Sequence, residues 1–279
     1  MASQSEPATL PDETSFHAAW VAGCTDSQRR VLSDSAELAL TGGAMADRLA
    51  WVFVSGYQAA VRQCFPELVP ATGWTCLAAA EGRGGPGCAL SDDGNGYKLS
   101  GEKSWIAGAA VLESLVVSTG EGEERTFAGV LASAPGVSID LPRKPGFLGE
   151  MSQGVARFAD VSVAGVLQEP ARGLRFRGAE PLFVMLALNA CLRVRAATAG
   201  MTELVDLAEQ AIVQGRSLPA VLDQKAAILA GLAEFRSLTS RVVQAAGPLV
   251  AEHPTLAASW DADARLFAMF GVNLEETAA

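Results

Sequence analysis

Histidine is nearly absent from this 279-residue chain: His17 and His253 stand far apart, too few and too distant to build a zinc centre or a histidine-based triad. The five cysteines, Cys24, Cys64, Cys76, Cys88 and Cys191, form an odd and dispersed set without Cys-x-x-Cys spacing. Such a set reads as free buried thiols in a reducing cytoplasm rather than a disulfide or metal framework. Positive charge is also short, with 21 Lys and Arg against 31 Asp and Glu, a net charge of −10. Nucleic acid is excluded as the main partner, because phosphate binding needs a basic face. No uninterrupted apolar run of about 18 residues occurs, which argues against a membrane span. The start, MASQSEPATLPDETS, lacks the basic region and apolar core of a secretory leader. It predicts a disordered tail over 1–25.

What is present is apolar bulk, 49% of the chain, enough for one or two sizeable cores. Residues 26–70 read as a short helical domain. Asp26 or Ser27 can cap a first helix and Gly42-Gly43 can end it. A second helix places Met45, Leu49, Val52, Phe53, Gly56, Ala60, Val61 and Cys64 at spacings of three and four, with Pro66 and Pro70 beyond it. Over 71–172 the period shortens. Apolar runs at Trp74–Ala80, Tyr97–Leu99, Leu115–Thr119, Phe127–Leu131 and Val161–Val163 alternate with turn-rich stretches, as in a small antiparallel barrel or sandwich. Over 173–279 helices return: one apolar stripe from Leu182 to Ile212, a second from Ile228 to Val243, and a last helix from about Trp260. Long helices of this kind want partners, either each other or a second subunit. The expected class is therefore α+β, with N-terminal helices, a middle β-domain and a C-terminal helical bundle.

The run Gly96-Tyr97-Lys98-Leu99-Ser100-Gly101-Glu102-Lys103-Ser104-Trp105-Ile106-Ala107-Gly108-Ala109 resembles the "GYxLNGxKxWITNA" segment of acyl-CoA dehydrogenases. Other stretches follow in the same order. Ala134-Pro135-Gly136-Val137 resembles "TPGV", Phe158-Ala159-Asp160-Val161-Ser162-Val163 resembles "FxDVxVP", and Pro219 with Gln224 resembles "FGxPIxxxQ". The resemblance covers roughly residues 30–277 and rests on the combined order of motifs.

The resemblance implies an FAD-dependent oxidoreductase acting on acyl-CoA thioesters, a role in fatty acid metabolism, and a dimer or a heteromer with a full-length acyl-CoA dehydrogenase. It implies that Trp105 stacks beside the flavin, and that Ala107 stands where the family's threonine bonds the flavin edge. The "TEPxAGSD" loop falls on Ala80-Glu81-Gly82-Arg83-Gly84-Gly85-Pro86-Gly87. Glu81 and Gly85 are kept, while Ala80 replaces the threonine and Pro86 the serine, losing two hydroxyls and one backbone donor. The arginine that reaches the flavin diphosphate from a neighbouring subunit aligns with Val213, and Arg216 nearby is the candidate substitute. Asp263-Ala264-Arg265-Leu266-Phe267-Ala268 resembles the start of the third C-terminal helix, "MAKLFAS", so the "QxxGGxG" helix and the "YEGT" loop with the catalytic glutamate are expected to be missing. An alternative alignment places "RxxxIYEGT" from Arg265, with Gly271 at the glutamate position. Some family members carry the base on the first long C-terminal helix, where Glu180, Glu203 and Glu209 are the candidates here. The expectation is a degenerate relative, inactive alone or dependent on a partner. The alternatives are an active flavin oxidoreductase with a relocated base, or a non-catalytic interaction subunit.

Overall fold

The computed structural model describes residues 10–26, 34–70, 72–82, 87–92, 94, 96–141, 146–163 and 165–273. The chain divides into two compact units, one of Met1–Ala60 with Arg177–Ala279 and one of Val61–Phe176. The boundaries fall inside two helices.

The helical unit begins with α1 (Glu13–Asp26), α2 (Ser35–Met45) and α3 (Leu49–Cys64). The region expected as a disordered tail over 1–25 thus contains most of α1. Asp12 caps it by accepting the Ser15 N–H at 2.8 Å, and that hydrogen bond holds the Asp12 carboxyl below its ordinary range. Phe16 and Trp20, one turn apart, are fully buried, and Phe16 stacks on Trp51 of α3 at 5.1 Å between ring centroids. Two aromatics at a helical interval outweigh a polar composition. The cap of α2 is likewise Asp34, which accepts from Ala36 N and Glu37 N, rather than Asp26 or Ser27.

The rest of this unit is α4 (Ala171–Thr198), α5 (Thr202–Ser217), α6 (Lys225–Ala245), α7 (Gly247–Ala251), α8 (Pro254–Asp263) and α9 (Arg265–Met269). The single stripe from Leu182 to Ile212 is broken in two. Gly200, at φ 73, ends α4, with Met201 N bonded to Ala196 O and Gly200 N to Ala197 O, so the chain turns before α5. Helix α4 is the packing axis. A Cβ on Gly43 would lie 2.2 Å from Ala187 O, and one on Gly56 would lie 2.3 Å from Val184 Cα. Only glycine lets the α2 and α3 backbones come so near α4. By length and composition α4 could cross a membrane, but 78% of its most apolar window is buried inside the protein. Its hydropathy is that of a core helix.

Among the described residues the β-unit holds two four-stranded sheets, which do not close into a barrel. The first orders β1 (Trp74–Ala78), β4 (Leu112–Thr119), β5 (Thr126–Leu131) and β8 (Gly165–Leu167); the second orders β2 (Ala89–Asp92), β3 (Tyr97–Ala107), β7 (Gln153–Ser162) and β6 (Val137–Asp140). The expectation of a wholly antiparallel arrangement needs one correction: β1 and β4 run parallel. Strand β1 leaves its sheet at Ala78, and the residues after it bond to β3, so the sheets meet there. The Ala134–Val137 segment is a tight turn, with Val137 N on Ala134 O at 3.0 Å and Gly136 at φ 88.

Candidate functional site

The β-unit gathers its chemistry at the end of β3. Lys103 is an unusual core residue, 1% exposed, and its ammonium pairs with Glu81 and reaches Ala79 O at 3.5 Å. Beside it, Ser104 N donates to Ala80 O at 2.9 Å and Ser104 Oγ donates to Glu81 O at 3.0 Å. The carbonyls of Ala79, Ala80 and Glu81 are therefore all turned onto β3. The amides of Ala80, Glu81 and Gly82 have no acceptor among the described residues. A loop held by its carbonyls with its N–H groups open is a surface for ligand acceptors. Ala80 and Glu81 are exposed, and Ala80 brings no hydroxyl. Gly85, with Arg83 and Pro86, lies outside the described residues. Burial pushes the nearby Cys88 thiol up to about 11 despite the Lys103 charge, so it stays protonated at neutral pH.

Trp105 is half-buried, and its indole N–H donates to Gln153 Oε1 at 3.0 Å. Ala107 faces inward, and its N–H is taken by Cys76 Sγ at 3.3 Å. At this position the chain has neither a side-chain hydroxyl nor a spare amide for a ligand.

The helical unit treats its candidates differently. Val213 is exposed on α5, and Arg216, the candidate substitute, forms an ion pair with Glu37 of α2. Gln224 is exposed at the N-cap of α6 without a side-chain capping bond. Gly271 ends α9: at φ 72 it donates to Ala268 O, while Val272 N donates to Phe267 O at 2.8 Å. That pair of bonds is a Schellman stop, and it accounts for glycine at 271 without any catalytic role. The three candidate glutamates do not share one helix: Glu180 lies on α4, while on α5 Glu209 is paired with Arg193 at 3.2 Å and Glu203 is exposed. Glu180 is half-buried, has no hydrogen-bonding or ionic partner among the described residues, and is pushed by desolvation up to about 7. A carboxyl near 7 has the proton affinity of a general base. Among the described residues, no group of three or more His, Cys, Asp or Glu side chains gathers as metal ligands would.

Sequence reasoning reached Trp105, Glu81, Ala80 and Ala107, and the structure sets Ala80 and Glu81, just after β1, against β3, which carries Trp105 and Ala107. It missed Lys103, Cys76 and Gln153. Lys103 had a signal, a charge at the inward alternation of a strand, two residues before Trp105. Cys76 and Gln153 are distant in sequence and gave none.

No family model matches the chain, and no curated protein sequence matches it. Solved structures do. Butyryl-CoA dehydrogenase from Megasphaera elsdenii aligns over 92% of this chain and 86% of its own, at a TM-score of 0.61 and 11% identity. PigA with FAD and proline aligns over 95% and 84%, at 0.61 and 12%. KijD3 in complex with FMN and a dTDP-linked amino keto sugar aligns over 97% and 84%, at 0.59 and 15%. At such identities the likeness carries the fold alone: this chain has the acyl-CoA dehydrogenase fold.

Proposed function

We propose that this chain is a cytoplasmic flavin-binding subunit on the acyl-CoA dehydrogenase fold. On this reading it does not complete the α,β-dehydrogenation of an acyl-CoA thioester alone. A partner chain, a full-length dehydrogenase, would supply what is missing. Bound FAD would accept the hydride. The half-buried Trp105 and the open amides of Ala80, Glu81 and Gly82 fit a planar ligand rich in acceptors. Other mapped positions do not fit: the Ala107 amide is spent on Cys76 and Arg216 on Glu37. The observation that carries the reading is Gly271, a helix stop at the position that one of the two alignments gives the base.

The test is the absorbance of the purified protein after FAD is added and the excess removed. The reading expects a retained flavin band at about 450 nm that an acyl-CoA panel does not bleach until a partner dehydrogenase is added. A protein that keeps no flavin overturns the flavin-binding half. Bleaching by acyl-CoA alone overturns partner dependence.

A second reading has one observation in its favour, the Glu180 carboxyl raised to about 7. If Glu180 serves as the base, the flavin-loaded chain is bleached by acyl-CoA unaided. Glu180→Gln then loses that reaction by about 10²–10⁴-fold while keeping its flavin.

A further inference from the structure

The start of β7 organises the whole end of β3. Ser152 O accepts from Gly108 N at 2.9 Å, and Ser152 Oγ accepts from Ala110 N at 2.8 Å. The next residue, Gln153, uses both ends of its amide. Its Oε1 accepts the Trp105 indole N–H at 3.0 Å, and its Nε2 donates to Phe147 O at 2.6 Å. The chemistry fixes the amide's orientation, since an indole nitrogen only donates and a carbonyl only accepts. Phe147 precedes Leu148, which is fully buried at φ 50, a left-handed conformation rare for a branched apolar residue. Met151 N on Leu148 O at 3.0 Å closes that turn. Such strain persists only where neighbouring contacts over-determine it, and it concentrates at binding sites.

We propose that Gln153 is a positioning residue that sets the plane of the Trp105 indole and couples it to the strained Gly146–Met151 turn. The second torsion of a tryptophan is soft, and the hydrogen bond that the ring's only polar atom donates to Gln153 restrains it. The same amide then fastens the turn, so the ring and the turn move together or not at all. The inference rests on the flavin reading for its purpose, a ring held ready to stack on a planar ligand, but its geometry stands without it.

The experiment uses the full chain. Emission of Trp105 is isolated among the five tryptophans by subtracting the Trp105→Phe spectrum from each protein that retains Trp105. Gln153→Leu is expected to broaden and red-shift that emission and to weaken FAD binding about tenfold, the scale of one net hydrogen bond. Gln153→Glu keeps an acceptor for the indole but loses the donor to Phe147. It is expected to keep the Trp105 emission and FAD affinity within about threefold of the wild type, while proteolysis at the Gly146–Met151 turn becomes faster. Unchanged Trp105 emission in Gln153→Leu overturns the proposal, as does a loss of emission and affinity in Gln153→Glu equal to that in Gln153→Leu. A wild-type chain that binds no FAD sinks the flavin reading, and the emission comparison still decides the role of Gln153. Should Gln153→Leu fail to fold, normal Trp105 emission with a loosened turn in Gln153→Glu supports the coupling, and an intact turn overturns it.

Discussion

Replacing Glu180 with glutamine should change the stability of this protein in a way that depends steeply on pH. In the folded chain desolvation lifts the Glu180 carboxyl from its ordinary 4.5 to about 7. Below the ordinary value the group is protonated in both the folded and the unfolded chain, and it costs nothing. As pH rises, the unfolded chain releases the proton first, while the folded chain retains it until about 7. Stability is therefore lost across that window and levels off above it. The full shift corresponds to about 3 kcal/mol, and the partial exposure of Glu180 reduces this to about 2 kcal/mol. Glutamine is nearly isosteric and never ionises. Chemical denaturation at about pH 4 should give wild type and Glu180→Gln the same stability within roughly 0.5 kcal/mol. At about pH 8 the variant should be more stable by about 2 kcal/mol. An equal difference at both pH values, or a variant less stable at the higher one, would falsify a desolvated carboxyl at this position and remove the support for a base on α4.

Three further outcomes follow from the packing. Gly43→Ala places a methyl 2.2 Å from Ala187 O, so α2 must shift off α4, and thermal unfolding should register a loss of about 3 kcal/mol. Gly271→Ala puts a side chain at φ 72, which should cost about 1 kcal/mol in the same assay; no loss would mean that α9 ends by some other device. Glu81→Ala leaves the Lys103 ammonium, 1% exposed, without its counter-ion, whereas Lys103→Met removes the charge and keeps the volume. The first should cost about 2–3 kcal/mol and the second under about 1 kcal/mol. The reverse order in denaturant melts would show that the pair is not held as described.

The sequence carried the element types wherever a period was long and clean. The pattern from Ile228 to Val243 matches α6, and the pattern from Met45 to Cys64 matches α3 from Leu49 on, whereas Met45 ends α2, which runs through Gly42-Gly43 instead of stopping there. It failed where two distant contacts decide. Helix α1 exists because Phe16 and Trp20 are buried, Phe16 against Trp51, a partner more than 30 residues away that no local count of polar residues includes. The break at Gly200 was legible in principle, but an apolar stripe that keeps its phase through a turn looks continuous on a helical projection. Strands β2, β6 and β8 are three or four residues long and half-exposed, and their burial patterns carry too few inward positions to register. At the site, residue types were legible and their commitments were not. Ala107 could be seen to lack a hydroxyl. That its amide is also taken could be known only once Cys76 stood 3.3 Å away.

The balance between satisfied and unsatisfied groups bears directly on what the chain can do. A site that has lost its ligand tends to close over its own polar atoms, because a buried donor left unpaired costs about 1–3 kcal/mol. In the helical unit the mapped groups have internal partners or structural roles: Arg216 pairs with Glu37, and Gly271 ends α9. The β-unit has not closed in the same way. The Ala80, Glu81 and Gly82 amides have no acceptor among the described residues, and the buried Lys103 ammonium holds this segment through the Glu81 carboxylate and Ala79 O. Trp105, likewise, is neither fully buried nor released to solvent but tethered by Gln153. On the reading proposed above, such a face beside positions that hold structural roles is what a chain that binds its cofactor and leaves the proton abstraction to another would show. The one group against that division is Glu180, and so its titration and the fate of a bound flavin under acyl-CoA should be measured on the same preparation.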